Sequence, residues 1–541
     1  MTTCGERIVE ILEQRGVDTV FGIPGNHTLE LYRGLRDSGI NHITTRHEQG
    51  AGFMADGYAR ASGKPGVCFL ISGPGFLNAA TAISQAAADS VPLLIIASAN
   101  PPANVHTPPA GGRLHELPDQ FATAQTLCQA CFKLTDPTET DAVLTAAFHM
   151  FAAQRPGPVY VEVGTDVFGQ QAGPSQTHTP APATPSGMNQ DTLQEALQAI
   201  IQSKQPALLL GGGAQGCKRL ATLAERLQAP VVNTVNAKGL VPTSHPLSVG
   251  GSPSLDSVRS LLEDSDLVIA LGTEFGETDF DLLMSEPFQL HGQLLRVDID
   301  AQALQHNIEA DISLQGSVHE FVDQVLNVLP ERNPAADVQT RVAQTRQAIQ
   351  SEPHYHQDFA AFFAALQAAA PNAVLVGDST RPTYYATWMY ECEQPRSYFH
   401  SVSGFGTLGY AIPAAFGAAC ATERPVAALI GDGGAQFSLT ELATAADQKL
   451  AVPVVVWSNT GYEEIANSLA ARSIDTASTV ISAPDFQHIA RSYQLEYHAP
   501  SSPAELSEVL KTAWQAEQPT IIEVKQQKFV TSSSGEWYGT P

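Results

Sequence analysis

Short apolar runs alternate with helical patterns along the whole chain. In the first third, these runs predict helices at 5–15 and 29–37 and strands at 19–23, 42–45, 67–71, 93–97 and 159–163. Apolar runs of strand length that are separated by helices are typical of a parallel sheet that is buried on both faces. This part of the chain is therefore predicted to be one α/β unit.

The same alternation returns twice further along the chain. A second group of strands is predicted at 207–210, 231–234, 267–271 and 294–299, and a third at 373–376, 426–430, 454–457 and 520–524. A Pro-, Ser-, Thr- and Ala-rich linker is predicted at 171–186 and a helical connector at 331–357. The sequence thus predicts an α/β fold of three doubly wound parallel-sheet domains, at 1–170, 188–330 and 355–541.

Polar residues follow two neighbouring strands of the third unit. Asp432 lies in the run Gly431-Asp432-Gly433-Gly434, and Asn459 comes just after the next strand. Ligands bind at the carboxyl ends of such strands, where glycines let backbone N–H groups approach an anion. Asp and Asn oxygens suit Mg²⁺, which also takes phosphate oxygens. The alternative is an ordinary N-cap aspartate, but the paired Asn459 favours a metal–diphosphate site.

Composition and charge exclude some functional classes. The chain has 541 residues, 43% of them hydrophobic, which is typical of a globular protein. Its net charge of −26 disfavours nucleic-acid binding, which needs a basic surface. No apolar run reaches membrane-spanning length, and Glu6 and Arg7 interrupt any secretory start, so a cytoplasmic protein without a membrane partner is expected.

Two local motifs have competing interpretations. Cys128 and Cys131 form a CxxC within a helical pattern, for which packing on a helix face is favoured over zinc binding or a redox pair. The segment 211–216 matches GxGxxG, but a dinucleotide site also needs an acidic residue at the end of the next strand. That strand end offers Asn233 and Asn236 instead. FAD or a nucleotide is therefore less favoured than a tight strand–helix crossover.

Glu48 follows a strand and opens a helix in the segment Arg46-His47-Glu48-Gln49-Gly50. Taken alone, it is expected to be a first-turn acid that complements the helix dipole. However, the chain combines His47-Glu48 and the Asp432–Asn459 signature with further motifs at 21–25 (FGIPG), 72–75 (SGPG), 155–159 (RPGPV) and 404–415 (GFGTLGYAIPAA). Their order and approximate spacing resemble the thiamine diphosphate-dependent superfamily of acetohydroxyacid synthases and 2-oxo acid decarboxylases.

This resemblance implies a pyrimidine-binding, a central and a diphosphate-binding domain, in that order. It implies an active site between two subunits, one giving Glu48 and the other Asp432, so that a homodimer is the minimum and a homotetramer is usual. Glu48 would contact the cofactor's pyrimidine, and Mg²⁺ would be held by Asp432, Asn459 and the Gly461 carbonyl. Ser458 departs from the usual pair of asparagines. The remaining implied cofactor contacts are Thr380, Gly406, Leu408, Gly431, Gly433 and Gly434, where Leu408 is alternatively a plain core leucine.

The resemblance also implies residues for the substrate. Asn26 and His27 would face the reactive carbon, and His115 lies in a loop where some decarboxylases carry catalytic histidines, although loop histidines are often idle. Histidine suits proton transfer near neutral pH. Gln120 matches a substrate-contacting glutamine of the synthases, whereas Ile71 stands where benzoylformate decarboxylases have histidine.

A guanidino side chain is one candidate for the substrate. The stretches 21–35 and 46–60 are especially similar to superfamily decarboxylases that act on a guanidino 2-oxo acid. Glu463 and Glu464 would pair with a guanidinium, as carboxylates do. Their alternative is an exposed acidic helix start, and family members commonly have glycine at position 463.

The implied reaction is non-oxidative decarboxylation of a small 2-oxo acid through an enamine. One alternative is a carboligase or decarboxylase similar to acetolactate synthase or benzoylformate decarboxylase. Another is a non-catalytic homologue that binds a nucleotide or a partner protein. Glu48, Asp432 and Asn459 are all present, which argues against the non-catalytic alternative.

Overall fold

The computed structural model describes residues 2–101, 112–173, 187–280, 288–331, 336–352 and 355–530. Most of the predicted linker at 171–186 lies outside the described residues. Three parallel sheets, each flanked by helices, confirm the predicted α/β class. The helices of the described residues are all too short or too polar to span a lipid bilayer.

The first sheet has strand order β2-β1-β3-β4-β6-β5, with every neighbouring pair parallel. Its strands are β1 (Thr19–Gly22), β2 (Asn41–Thr44), β3 (Gly66–Leu70), β4 (Leu93–Ala99), β5 (Ala130–Leu134) and β6 (Pro158–Gly164). Its helices are α1 (Cys4–Gln14), α2 (Leu29–Leu35), α3 (Glu48–Ser62), α4 (Pro74–Ala88), α5 (Gln120–Gln125) and α6 (Thr140–Ala153).

The second sheet has strand order β11-β10-β9-β7-β8. Its strands are β7 (Pro206–Leu210), β8 (Val231–Asn233), β9 (Leu267–Leu271), β10 (Gln293–Asp298) and β11 (Ile312–Gln315). The accompanying helices are α7 (Gln190–Gln202), α8 (Leu220–Leu227), α9 (Asp256–Glu263), α10 (Glu277–Phe280), α11 (Val318–Val328) and α12 (Ala336–Ile349). Helix α12 lies within the predicted helical connector.

The third sheet has strand order β13-β12-β14-β15-β17-β16. Its strands are β12 (Val374–Gly377), β13 (Tyr398–His400), β14 (Val426–Gly431), β15 (Pro453–Ser458), β16 (Glu496–His498) and β17 (Thr520–Lys525). Its helices are α13 (Gln357–Ala369), α14 (Arg381–Met389), α15 (Ala411–Ala421), α16 (Asp432–Ala435), α17 (Glu441–Asp447), α18 (Glu463–Ala471), α19 (Phe486–Ser492), α20 (Pro503–Ala513) and α21 (Gln526–Phe529).

The first and third units share a hydrophobic core along the crossing of α3 and α15. A Cβ on Gly57 would lie 1.9 Å from the Ala414 carbonyl oxygen, and one on Gly417 would lie 1.9 Å from that of Met54. The two helices therefore touch backbone to backbone, which only glycine allows.

Two sequence interpretations need correction. Cys131 lies in strand β5 and Cys128 in the loop before it, so the CxxC is not on a helix face. The segment 211–216 does not open an α-helix, because α8 begins only at Leu220. Its glycines are explained by close packing, since a Cβ on Gly211 would lie 2.1 Å from the Gly272 carbonyl oxygen.

Candidate active site

The Asp432 loop lies at the carboxyl end of the third sheet. Strand β14 ends at Gly431 beside Trp457 of β15, so the residues that follow the two strands are neighbours. Asp432 is 1% exposed, and its carboxylate accepts hydrogen bonds from the backbone N–H groups of Thr460 (2.7 Å) and Gly433 (2.9 Å). Burial raises the pKa of Asp432, while these donors oppose that shift.

Asn459 and Gly461 follow β15 at the same edge. The side-chain N–H of Asn459 donates to Glu463 at 3.0 Å, which leaves its amide oxygen as the atom that could bind a cation. Gly461 forms an isolated bridge with Val480, which fixes the backbone of the loop. One carboxylate, one amide oxygen and one main-chain carbonyl are therefore available near each other.

Glycines let the backbone of this loop approach its neighbours closely. A Cβ on Gly433 would lie 2.7 Å from the Tyr462 ring, and one on Gly434 would lie 3.0 Å from Asp378. Thr380 is buried next to Gly431, whose added Cβ would lie 3.1 Å from the threonine hydroxyl. The structure thus places Thr380, a predicted diphosphate contact, at the Asp432 loop.

Gly406 and Leu408 lie in the loop after β13. Gly404, Gly406 and Gly409 have φ of +70°, +70° and +79°, a region that other residues adopt at a cost. Leu408 is half-buried, so it is not a plain core leucine, and Phe405 in the same loop is exposed. The loop therefore presents apolar side chains outwards.

Glu48 is the first residue of α3, and the neighbouring His47 caps that helix. The side-chain amide of Asn78 on α4 donates to Glu48 Oε2 at 2.9 Å. Glu48 is half-buried, so part of its carboxylate faces outwards. The described structure thus holds Glu48 in place while leaving it accessible.

The two predicted catalytic histidines lie together in the first domain. The His27 and His115 ring centroids are 5.2 Å apart, with perpendicular planes. His27 Nδ1 lies 2.9 Å from the hydroxyl of the buried Ser72. Burial and the neighbouring His115 lower the pKa of His27. Asn26 is exposed next to this pair.

Gln120 is 6% exposed, and it fastens the loop beside the histidine pair. Its amide N–H groups donate to the Ser98 carbonyl (2.9 Å) and the Tyr160 hydroxyl (2.7 Å), and its oxygen accepts from the Gly73 N–H (2.7 Å). These bonds use both of its donors, so Gln120 has only acceptor capacity left. Its contact with substrate stays a prediction.

Glu463 and Glu464 face a guanidinium of the same chain. Each carboxylate has an oxygen 3.8 Å from an Arg381 nitrogen. Glu463 also accepts from Gln526 at 2.7 Å. Burial raises the pKa of Glu464 despite the nearby Arg381. The alternative interpretation of Glu464, as part of an exposed acidic helix start, is therefore wrong.

Comparisons with known proteins agree with this geometry. Three family models of thiamine pyrophosphate enzymes match the sequence. They are the N-terminal thiamine pyrophosphate-binding domain at residues 2–123, the central domain at 193–325 and the C-terminal thiamine pyrophosphate-binding domain at 376–524. A probable 2-ketoarginine decarboxylase of Pseudomonas aeruginosa is 38% identical over 534 residues, which cover 97% of this chain and 94% of that protein. The chain belongs to the thiamine diphosphate (pyrophosphate) enzymes.

Acetolactate synthases are also related to this thiamine diphosphate enzyme. The isozyme 1 large subunit of Escherichia coli is 32% identical over 470 residues, covering 84% of this chain and 82% of that protein. A probable large subunit of Methanocaldococcus jannaschii is 29% identical over 547 residues, with coverages of 96% and 91%. The predicted superfamily and enzyme class, a thiamine diphosphate-dependent decarboxylase or carboligase, are confirmed.

The residues present fit a metal-bound diphosphate. Across the described residues, no three His, Cys, Asp or Glu side chains lie together as a metal site. A cation at Asp432 would therefore rely on amide, carbonyl and phosphate oxygens, the set that Mg²⁺ prefers. The close packing of the glycines beside Asp432 leaves no room for side chains at those positions, so their backbone N–H groups would be the groups that meet a phosphate.

A cavity of about 670 Å³ lies between the three domains of the enzyme. The segment 211–216 contributes Gly212, Gly213 and Gln215 to its lining, and Asp298 at the end of β10 also lines it. The glycine segment on which the FAD alternative depends therefore lines this cavity.

Sequence reasoning missed three residues at this site. Asn78 lies one turn into the helix that follows the SGPG motif, a position that a helical reading of 72–78 could have placed beside Glu48. Arg381 directly follows Thr380, but nothing local points it at Glu464. Glu441 contacts the segment before Glu48 from 394 residues away in the chain, and no sequence pattern indicates such a contact.

Proposed function

We propose that this enzyme catalyses the Mg²⁺- and thiamine diphosphate-dependent, non-oxidative decarboxylation of a small 2-oxo acid. The observation that carries the proposal is the adjacent His27–His115 pair in the same domain as Glu48. A decarboxylase must return a proton to the carbon that loses carbon dioxide, whereas a carboligase joins that carbon to a second substrate. Two imidazoles in this domain are suited to transferring that proton near neutral pH.

The cofactor would be shared between two subunits. In one subunit, Asp432, Asn459 and the Gly461 carbonyl would hold Mg²⁺, and Thr380, Gly431, Gly433 and Gly434 would contact the diphosphate. Leu408 and the Gly406 carbonyl would contact its rings, and the other subunit would supply Glu48. A homodimer is then the smallest active unit, and a homotetramer is the expected assembly.

Bound thiamine diphosphate supplies a nucleophilic carbon and a ring that accepts the electron pair left behind when carbon dioxide departs. Glu48 would hold a proton at the pyrimidine ring nitrogen, with Asn78 fixing the direction of its carboxylate. His27, whose pKa is lowered by burial and by the neighbouring His115, would take up a proton from solvent and pass it to the reacting carbon together with His115. Asn26 would orient the substrate carboxylate next to this pair.

We further propose 5-guanidino-2-oxopentanoate (2-ketoarginine) as the substrate. The full-length relative whose name includes this substrate supports the assignment. Within the described structure, Glu464 Oε1 is buried and accepts no hydrogen bond. That oxygen can take a guanidinium N–H, which Arg381 at 3.8 Å does not donate to it. Glu463 is engaged by Gln526 and Asn459, so Glu464 is the proposed contact.

An acetolactate-forming carboligase is the second candidate, favoured by the related synthases and by Gln120. Non-oxidative decarboxylation passes no electrons to an external acceptor, so FAD remains the less favoured use of the interdomain cavity. Benzoylformate is a weaker substrate candidate because Ile71 takes the place of the expected histidine.

The test supplies the purified enzyme, with Mg²⁺ and thiamine diphosphate, with 2-ketoarginine, pyruvate or benzoylformate. We expect carbon dioxide and the guanidino aldehyde from 2-ketoarginine. Acetolactate from pyruvate, with no aldehyde from 2-ketoarginine, would instead assign the carboligase. If calorimetry detected no thiamine diphosphate binding with or without Mg²⁺, the non-catalytic alternative would replace both.

A further inference from the structure

Glu441 makes a buried contact between the third domain and the segment that carries Glu48. The backbone N–H of His47 donates to its Oε1 at 3.0 Å, and that of Arg46 lies 3.2 Å from both carboxylate oxygens. The Thr444 hydroxyl donates to its Oε2 at 2.7 Å. Glu441 is 1% exposed, so water does not compete for these bonds.

The packing around Glu441 is close on the helix side as well. A Cβ on Gly50, in the first turn of α3, would lie 2.2 Å from Glu441 Oε1. The carboxylate therefore fits between the N–H groups of Arg46 and His47 and the bare backbone of Gly50. Glu48 stands between these anchored residues, at the start of the helix.

We propose that Glu441 is a positioning residue for Glu48 of the same chain. This inference rests on the proposed role of Glu48. A carboxylate that accepts two successive N–H groups fixes the direction in which the chain enters α3, and thereby the direction of the Glu48 side chain. Glu441 itself is bonded to backbone and to Thr444, and it acts on the cofactor only through Glu48.

The arrangement has a consequence for a cofactor shared between subunits. Glu441 follows the Asp432 loop of its own chain by nine residues, yet it holds the Glu48 that would serve the partner's cofactor. A substitution of Glu441 should therefore impair the active site to which its own chain contributes Glu48. The other active site, to which its own chain contributes Asp432, should be unaffected. A role in supporting the Asp432 loop would have the opposite effect.

Hydrogen exchange of the cofactor-free protein tests the contact itself. In Glu441→Ala, the amides of Arg46 and His47 should exchange at least about 10-fold faster than in the wild type. Asp447→Asn is the matched control, because it removes an exposed ion pair between the same helix and Arg46 and leaves the buried bonds intact. Unchanged exchange in Glu441→Ala would overturn the proposal.

Mixed dimers test the direction of the effect. Glu441→Ala should lower kcat about 10-fold or more with the affinity for thiamine diphosphate unchanged. Co-expressed with an Asp432→Ala subunit, it should regain activity well above either parent, because one site then combines an intact Asp432 loop with a well-positioned Glu48. If the hybrid stays as inactive as its parents, Glu441 acts on its own Asp432 loop and the proposal is wrong.

A second hybrid separates this failure from failure of the proposed function. Glu48→Gln paired with Asp432→Ala should recover activity whatever Glu441 does. If that pair does not recover, the shared active site is wrong and not the role of Glu441. Should Glu441→Ala not fold, Glu441→Gln keeps one acceptor oxygen and should show a smaller loss of kcat in the same assays.

Discussion

The crossing of α3 and α15 gives a quantitative prediction. In Gly57→Ala, the new Cβ would start 1.9 Å from the Ala414 carbonyl oxygen, against the 3.4 Å of an ordinary contact. Backbone atoms cannot rotate away, so the helices must part by about 1.5 Å. Overpacking of this kind costs up to about 3 kcal/mol, and the better helix propensity of alanine returns about 1 kcal/mol. The expected net loss is about 2 kcal/mol.

Gly417→Ala should cost a similar amount, since its Cβ would lie equally close to the Met54 carbonyl oxygen. The same separation of the helices relieves both clashes, so the double variant should cost about as much as the worse single one. Glu48 begins α3, and a displacement of about 1 Å at a catalytic group can lower kcat on the order of 100-fold. Both stability and turnover are therefore expected to fall.

Denaturant unfolding of the cofactor-free protein measures these losses, and turnover with saturating cofactor measures the displacement. Gly169→Ala is the control, because its Cβ would meet no atom within 4 Å; it should change stability by less than about 0.5 kcal/mol. Wild-type stability in either single variant, or a double variant whose loss equals the sum of the two, would refute the reasoning.

Three further predictions concern the site and its surroundings. Glu48→Gln should lower kcat about 10²–10⁴-fold, the range for a general acid–base group, and near-normal turnover at saturating cofactor would remove Glu48 from the mechanism. Chelation of Mg²⁺ should weaken thiamine diphosphate binding to the wild type far more than to Asp432→Ala; calorimetry measures both, and equal effects would contradict the metal assignment. Burial lowers the pKa of His400 to about 3, so the unfolded chain, with a pKa near 6.5, binds a proton that the folded protein refuses. The stability is complete above pH 6.5 and is lost as the pH falls towards 3, by roughly 2 kcal/mol at pH 5. His400→Gln should flatten that loss in denaturant unfolding at pH 7 and 5, and an unchanged slope would contradict it.

The apolar runs predicted all the inner strands of the three described sheets and missed four of the six edge strands. The strands β5, β11, β13 and β16 were not predicted, and each lies at one edge of its sheet. An edge strand pairs on one side only and is often short or partly exposed, so its sequence lacks a continuous apolar run. β11 alternates buried and exposed residues, and β16 has no buried residue. Inner strands are covered on both faces, which makes their apolar runs easy to recognise.

The candidate site likewise contains residues that local sequence patterns predict and residues that they do not predict. Asp432 and Asn459 follow adjacent strands, so strand ends in the sequence were enough to bring them together. His27 and His115 came from the resemblance, and the structure places their rings side by side. Glu441 joins the start of α3 only through the docking of two domains, which no local pattern encodes.

The central claim is that two subunits hold one cofactor between them, and a structure of the enzyme with Mg²⁺ and thiamine diphosphate tests it most directly. We predict Mg²⁺ on Asp432, Asn459 and the Gly461 carbonyl of one subunit, with the Glu48 carboxylate of the other within about 3 Å of a pyrimidine nitrogen. A bound cofactor whose pyrimidine contacts no Glu48 from a neighbouring subunit would contradict the account.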